Sequence, residues 1–153
     1  MTTMSLKEKI MEIIAGPHPA AVATMDGKRP AVRYMVLSGF SDMTLVGATM
    51  KSSNKVGQLE KNPESAITIW SGKELSDPYV EINAMGKVYE DTATKKKYWT
   101  PAFDELFKSP ENPEFVVLVF TASEITYHAK NMASREVWTS SFTGIDLERN
   151  ASD

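Results

Sequence analysis

The chain has 153 residues, 42% of them apolar, with a net charge of −3 and no cysteine. That length suits one domain with one core, and an acidic balance argues against a general nucleic-acid binder, which gains affinity by releasing counterions from phosphates. Without cysteine there are no disulfides, thiolate metal sites or cysteine nucleophiles, and the two histidines, His18 and His128, lie far apart with no ligand spacing, so no metal site is expected.

The segment MTTMSLKEKIMEII is broken by charges. It reads as neither a signal peptide nor a membrane span, so the expected compartment is the cytoplasm. Ser5 caps a helix on which Leu6, Ile10, Ile13 and Ile14 share a face. Gly16-Pro17 stops it, and Pro19 prevents it from resuming. AAVATM then reads as a strand and Asp26-Gly27 as a hairpin turn. AVRYMVL and TLVGAT are the next strands, joined by the turn-forming SGFSDM. A short helix spans about Ser53 to Lys61 and ends at Asn62-Pro63. SAITIW is a fourth strand and YVEINAMGKVYED a long fifth one, in which Gly86 is expected at a bulge or bend. DTATKKKYWTPAFDELF reads as a helix, a proline break and a helical turn, and EFVVLVFTASEITYH as the longest strand. REVWTS adds a short edge strand. A single domain over residues 1–143 is expected, followed by a mobile tail over 144–153. Six or seven strands with hairpin spacing and peripheral helices predict a mainly β fold, a small closed or split barrel.

One constellation carries chemistry. Centring the second hairpin near Ser41 sets Arg33 opposite Thr49 and Ala31 opposite Lys51, and paired residues point to one face. Arg33, Thr49 and Lys51 then gather beside the helix opened by Ser52, Ser53, Asn54 and Lys55. Arg33 offers a bidentate fork, Thr49 and Ser53 offer hydroxyls, and the lysines offer point charges. The helix start adds N–H donors and a partial positive charge. No acid lies between Asp42 and Glu60 to neutralise them. Taken singly, each is an ordinary surface cation or cap. Together they suit a phosphate or another small anion.

The order Arg33-x-Met35, Thr49, Ser53-x-Lys55 and a helix ending at Asn62-Pro63 resembles the FMN-binding split barrels of the pyridoxamine 5′-phosphate oxidase superfamily, and within it the general stress protein 26 subgroup. The SAITIW strand, the long glycine-containing strand after it and the KKKYW helix fit the same pattern, from about Pro19 to Tyr127. The resemblance implies a six- to seven-stranded split barrel of the FMN-binding type. Arg33 and Lys55 would hold the FMN phosphate with Ser53 and Asn54. The backbone of Tyr34, Met35 and Val36 would line the isoalloxazine ring, and Ala48 and Thr49 would meet the ring edge or the ribityl chain. Lys51 and Gln58 are further candidates. The family is dimeric with flavin between subunits, so residues near Asp77 to Glu81, together with Trp138, would reach the cofactor from the partner.

Pyridoxamine phosphate oxidases carry an Arg-x-His pair near the C-terminus. Here the corresponding run is Ser134-Arg135-Glu136-Val137-Trp138, so true pyridoxamine phosphate oxidation is not expected. No catalytic acid or base can be named, and a flavin would carry the chemistry. The expectation is an FMN-dependent oxidoreductase of the general stress type acting on an unknown small molecule. The alternatives are an F420- or haem-binding split barrel, or a non-enzymatic FMN-binding sensor or store. No nucleic-acid or membrane partner is expected.

Overall fold

The computed structural model describes residues 3–140. Its first element, α1 (Leu6–Ile14), opens on a reciprocal cap. Ser5 Oγ accepts from the Glu8 N–H at 3.1 Å, and Glu8 Oε1 accepts from the Ser5 N–H at 3.3 Å. The side chains of both residues thus occupy N–H groups that a helix start leaves open. Ile10, Ile13 and Ile14 are buried, and α1 plugs one mouth of a barrel.

Seven antiparallel strands form that barrel and its margin: β1 (Gly16–Asp26), β2 (Arg29–Gly39), β3 (Thr44–Met50), β4 (Glu64–Trp70), β5 (Tyr79–Tyr89), β6 (Phe115–His128) and β7 (Arg135–Thr139). Their order is β3-β2-β1-β4-β5-β6-β7, and β3 pairs also with β6. The second pairing closes six strands into a barrel and leaves β7 as an extra strand. This is the mainly β split-barrel architecture expected. Residues 115–121 of β6 pair with β3 while residues 124–128 pair with β7, so β3 and β7 share one edge of that strand. The helices are peripheral: α2 (Asn54–Lys61) after β3, and α3 (Thr92–Lys97) and α4 (Asp104–Phe107) before β6.

Leu37, Leu45, Ile69, Ile82, Leu118, Phe120 and Ile125 fill the barrel. A second cluster under α3 and α4 joins Phe107 and Phe115 to Trp99 and Phe103 in edge-on ring contacts. Such contacts add about 0.5–1.5 kcal/mol each beyond the area they bury.

Four local expectations differ from the structure. The strand β1 starts at Gly16, not Ala20. Its other edge meets β4 only over Ala21 to Ala23, so Pro17 and Pro19 lack an N–H where no strand asks for one. The first hairpin turns on Gly27 and Lys28, with Gly27 at φ 64° and Asp26 paired to Arg29. The second hairpin pairs Ser38 with Val46 and Gly39 with Leu45, a register shifted by two residues from the expected one. A two-residue shift keeps every side chain on its face. The pairing with β2 ends at Val46, while on its other edge β3 pairs with β6 along its whole length, Thr44 to Met50. Finally, the bulge falls on Ser123 of β6, opposite Asn83 and Ala84, and not at Gly86. A Cβ on Gly86 would stand 2.8 Å from Leu59 Cδ2 and Phe120 Cε1, so this glycine admits α2 against the barrel. The tail expected over 144–153 and the domain end at 143 lie outside the described residues.

Candidate functional site

At the mouth away from α1, β1 and β2 meet α2. Alternation turns Arg33, Met35 and Leu37 inward and leaves Tyr34 and Val36 outward. Arg33 is half-buried, and its Nη1 donates to Thr24 Oγ1 at 2.7 Å and to the Val22 carbonyl at 3.3 Å. Its Nη2 donates to Gln58 Oε1 at 3.0 Å, and Thr24 Oγ1 donates to that same oxygen at 2.6 Å. Gln58 thus ties the helix to the arginine. Burial lowers the Arg33 guanidinium from its ordinary value. Burial, and then the nearby Arg33 charge, lowers the Lys55 ammonium. Both shifts have the sign expected of cations short of water and of countercharge. Among the described residues no carboxylate pairs with either.

Ser53 stands at the N-cap of α2, but its side chain makes no capping bond. Its hydroxyl shares a 3.3 Å hydrogen bond with that of the buried Thr49. The first N–H groups of α2 are therefore left without that side chain, beside two unpaired cations. This is the donor set that an anion needs.

The expected site residues separate into groups. Arg33, Lys55 and Gln58 converge, and Thr49 and Ser53 join them through the start of α2. Asn54 is exposed as the first helical residue. Lys51 turns away and pairs with Glu90 at 2.8 Å. Its register partner was expected on β2, but β2 and β3 have parted by then. Tyr34 and Val36 are 81% and 58% exposed on the outer face, and Met35 packs on the core. Ala48 lines a different cavity of about 330 Å³ against Tyr98, Trp99 and Phe103, with Ser38, Gly47 and Lys97 at its margins. Trp138 packs on its own chain's core opposite Ile125, at the α1 end of the barrel, and does not reach Arg33 within one chain.

Sequence reasoning missed three residues. Thr24 is buried at the inward position of an otherwise apolar alternation, Ala20-Val22-Thr24, and that polar break was the available signal. Glu90 takes Lys51, and Glu114 Oε2 accepts from Ser52 N–H at 3.3 Å and Ser52 Oγ at 2.9 Å. The acids absent from the local sequence come from the residue after β5 and the residue before β6, at the approach to α2.

Comparison with known proteins agrees with this architecture. The family model described as pyridoxamine 5′-phosphate oxidase matches residues 6–129. General stress protein 26 of Bacillus subtilis (strain 168) is 25% identical over 127 residues, covering 82% of this chain and 89% of that protein. The crystal structure of General Stress Protein 26 from Bacillus anthracis str. Sterne superposes with a TM-score of 0.75 at 27% identity, covering 89% of this chain and 99% of that one. A heme binding protein from Mycobacterium smegmatis gives a TM-score of 0.73 at 15% identity over 91% of this chain and 60% of that one, a likeness of fold alone.

Proposed function

The chain belongs to the pyridoxamine 5′-phosphate oxidase family, and from that membership and its site we propose that it is an FMN-binding oxidoreductase of the general stress type, working as a homodimer. The observation that carries this reading is the Arg33–Lys55 pair, two half-buried cations at a helix start with no carboxylate partner among the described residues. Its chemistry fits a phosphate dianion. Arg33 would supply the fork, already aimed by Thr24 and Gln58. Lys55, Ser53 and the first N–H groups of α2 would complete the cradle. The flavin, when bound, supplies one- or two-electron transfer.

Beyond the phosphate, β2 pairs with β3 only at Ser38 and Gly39, and over Arg29 to Leu37 alternate backbone groups of β2 face the gap with no strand partner among the described residues. That edge is where the ring would lie, on the backbone of Tyr34, Met35 and Val36. The cavity against Tyr98, Trp99 and Phe103 opens near the same gap and suits a small planar acceptor.

The dimer has its own support. Directly paired residues share a face, so Tyr34, Ala21, Thr68 and Glu81 form one outward row across four strands. Val32 and Val36 flank it, and Trp70 and the fully exposed Leu75 extend the apolar area. An exposed patch of this kind marks an interface. The same face carries His128 stacked on Tyr79 and bonded to Glu81. No helix among the described residues is long and apolar enough to cross a membrane. A cytoplasmic location is part of the proposal.

Titration with FMN tests the reading. The expected outcome is a flavin absorbance change and a higher melting temperature, because ligand at one hundred times Kd adds about 2.7 kcal/mol of stability. A protein that gains neither with FMN overturns it. The same gains with F420 or haem alone would establish the rival cofactors, and FMN binding without reduction by any donor would establish the non-enzymatic store.

A further inference from the structure

The turn that joins β3 to α2 is held from outside by Glu114, the residue before β6. Its carbonyl accepts from the Lys51 N–H at 2.8 Å. Its Oε2 accepts from the Ser52 N–H at 3.3 Å and from Ser52 Oγ at 2.9 Å, across 62 positions of the chain. The backbone bonds of the turn itself run from the Ser53 N–H to the Met50 carbonyl at 3.0 Å and from the Val56 N–H to the Ser53 carbonyl at 3.2 Å. Ser53 adds no side-chain cap. The direction in which α2 starts therefore depends on a residue far away in sequence.

Glu114 is itself fixed. Its N–H donates to Asn112 Oδ1 at 2.9 Å, and Asn112 Nδ2 donates to the Phe107 carbonyl at 2.8 Å. The Asn112 carbonyl accepts from the Phe115 N–H at 3.0 Å and from Nζ of the buried Lys95 at 3.0 Å. The turn before β6 is thus fastened to α3 through Lys95 and to α4 through Phe107. Phe107 and Phe115 are fully packed in the aromatic cluster, so this anchor belongs to the barrel wall.

The charge of Glu114 separates two ways of acting. A carboxylate repels a nearby phosphate. Glu114 can favour an anion only through geometry, by aiming the first N–H groups of α2 together with Ser53 and Lys55, which follow Ser52 directly. We propose that Glu114 is a positioning residue for the phosphate cradle. It sets the turn at Lys51 and Ser52 so that the start of α2 converges with Arg33, and it acts through that turn rather than on the ligand. The proposal rests on the reading of the Arg33–Lys55 site as a flavin-phosphate site.

Glu114→Ala, Glu114→Gln and Ser52→Ala test it, each titrated flavin-free with FMN and with riboflavin, which lacks the phosphate. Flavin fluorescence quenching reads both. In Glu114→Ala the FMN Kd should rise about tenfold while that of riboflavin stays within about twofold. Glu114→Gln keeps an oxygen acceptor for Ser52 and drops the charge, so its FMN Kd should stay within about twofold of the parent or fall below it. Ser52→Ala removes the hydroxyl bond alone and should raise the FMN Kd about threefold. An FMN Kd that is unchanged or lower in Glu114→Ala, an equal loss of riboflavin, or no recovery in Glu114→Gln overturns the proposal and leaves flavin binding standing. If Glu114→Ala does not fold, an unchanged FMN Kd in Ser52→Ala overturns it. A parent protein that binds neither flavin overturns the underlying reading as well.

Discussion

Gln58 Oε1 receives hydrogen bonds from Thr24 at 2.6 Å and from Arg33 at 3.0 Å, so one amide oxygen joins β1, β2 and α2 at the proposed anion site. The arrangement orients Arg33 before any ligand arrives. Gln58→Leu keeps the volume and removes the acceptor. A hydrogen bond to a charged group contributes about 1.5–3 kcal/mol. The expected result is FMN binding weaker by about tenfold, about 1.4 kcal/mol, with unaltered far-ultraviolet circular dichroism. Flavin fluorescence quenching reads it.

Removing both cations should abolish the phosphate contact. In Arg33→Ala with Lys55→Ala we expect FMN affinity to fall by about a hundredfold or more and the fold to persist, since both side chains stand at a barrel mouth. Riboflavin, which lacks the phosphate, should lose far less. An unchanged FMN Kd in the double variant would rule out the phosphate assignment.

The same two cations carry a pH signature. Lys55 is lowered by burial and by Arg33, so the folded ligand-free protein binds fewer protons there than the unfolded chain. Stability therefore rises with pH from the depressed folded value up to the ordinary lysine value of 10.5. Lys9 and Lys51 are raised by Glu136 and Glu90, so their contributions are lost only above 10.5. Urea midpoints of the ligand-free protein should climb as pH approaches that value from below. Lys55→Met should flatten the climb and raise the neutral-pH melting temperature. Phosphate in the buffer should flatten it too.

Gly86 admits α2 to the barrel, and the effect of a larger residue can be predicted. Gly86→Val would drive carbon into Leu59 and Phe120, both already within 2.8 Å of a Cβ position. Overpacking of this kind costs about 1–3 kcal/mol. Because Leu59 and Gln58 share α2, FMN affinity should fall with stability, as differential scanning calorimetry and titration would show together.

The outer row can be tested alone. Tyr34→Lys places a charge in the middle of the apolar face. If that face joins two copies, the variant should elute as a monomer from a sizing column and bind FMN more weakly, though the Tyr34 side chain stands on the face opposite to that of Arg33. A dimer that persists in Tyr34→Lys would move the interface elsewhere.

The barrel, its strands and the α2 start were legible because each rests on local pattern: alternation, a cap, a proline stop. Arg33, Thr49, Ser53 and Lys55 were legible for the same reason, as donor groups without a neighbouring acid. Thr24 escaped notice because a threonine in a strand is unremarkable until an arginine is laid over it. Glu90 and Glu114 could not be seen as partners of Lys51 and Ser52, since they flank β5 and β6, strands whose placement depends on barrel closure. A glycine in a long strand points to a bulge at Gly86, but Ser123 is the residue left over when β5 and β6 change register.

That closure also orders events in time. The pairs between β3 and β6 join residues 65 to 77 positions apart, from Met50 with Phe115 to Thr44 with Thr121. On a ribosome β3 is made long before its partner emerges. Long-range pairing is slow to form, and an unpaired apolar strand invites association with other chains. Thr24, Arg33 and Gln58 are by then complete. The nascent chain therefore holds every residue of the proposed anion site for as long as its barrel stays open, and chaperone demand should peak in that interval.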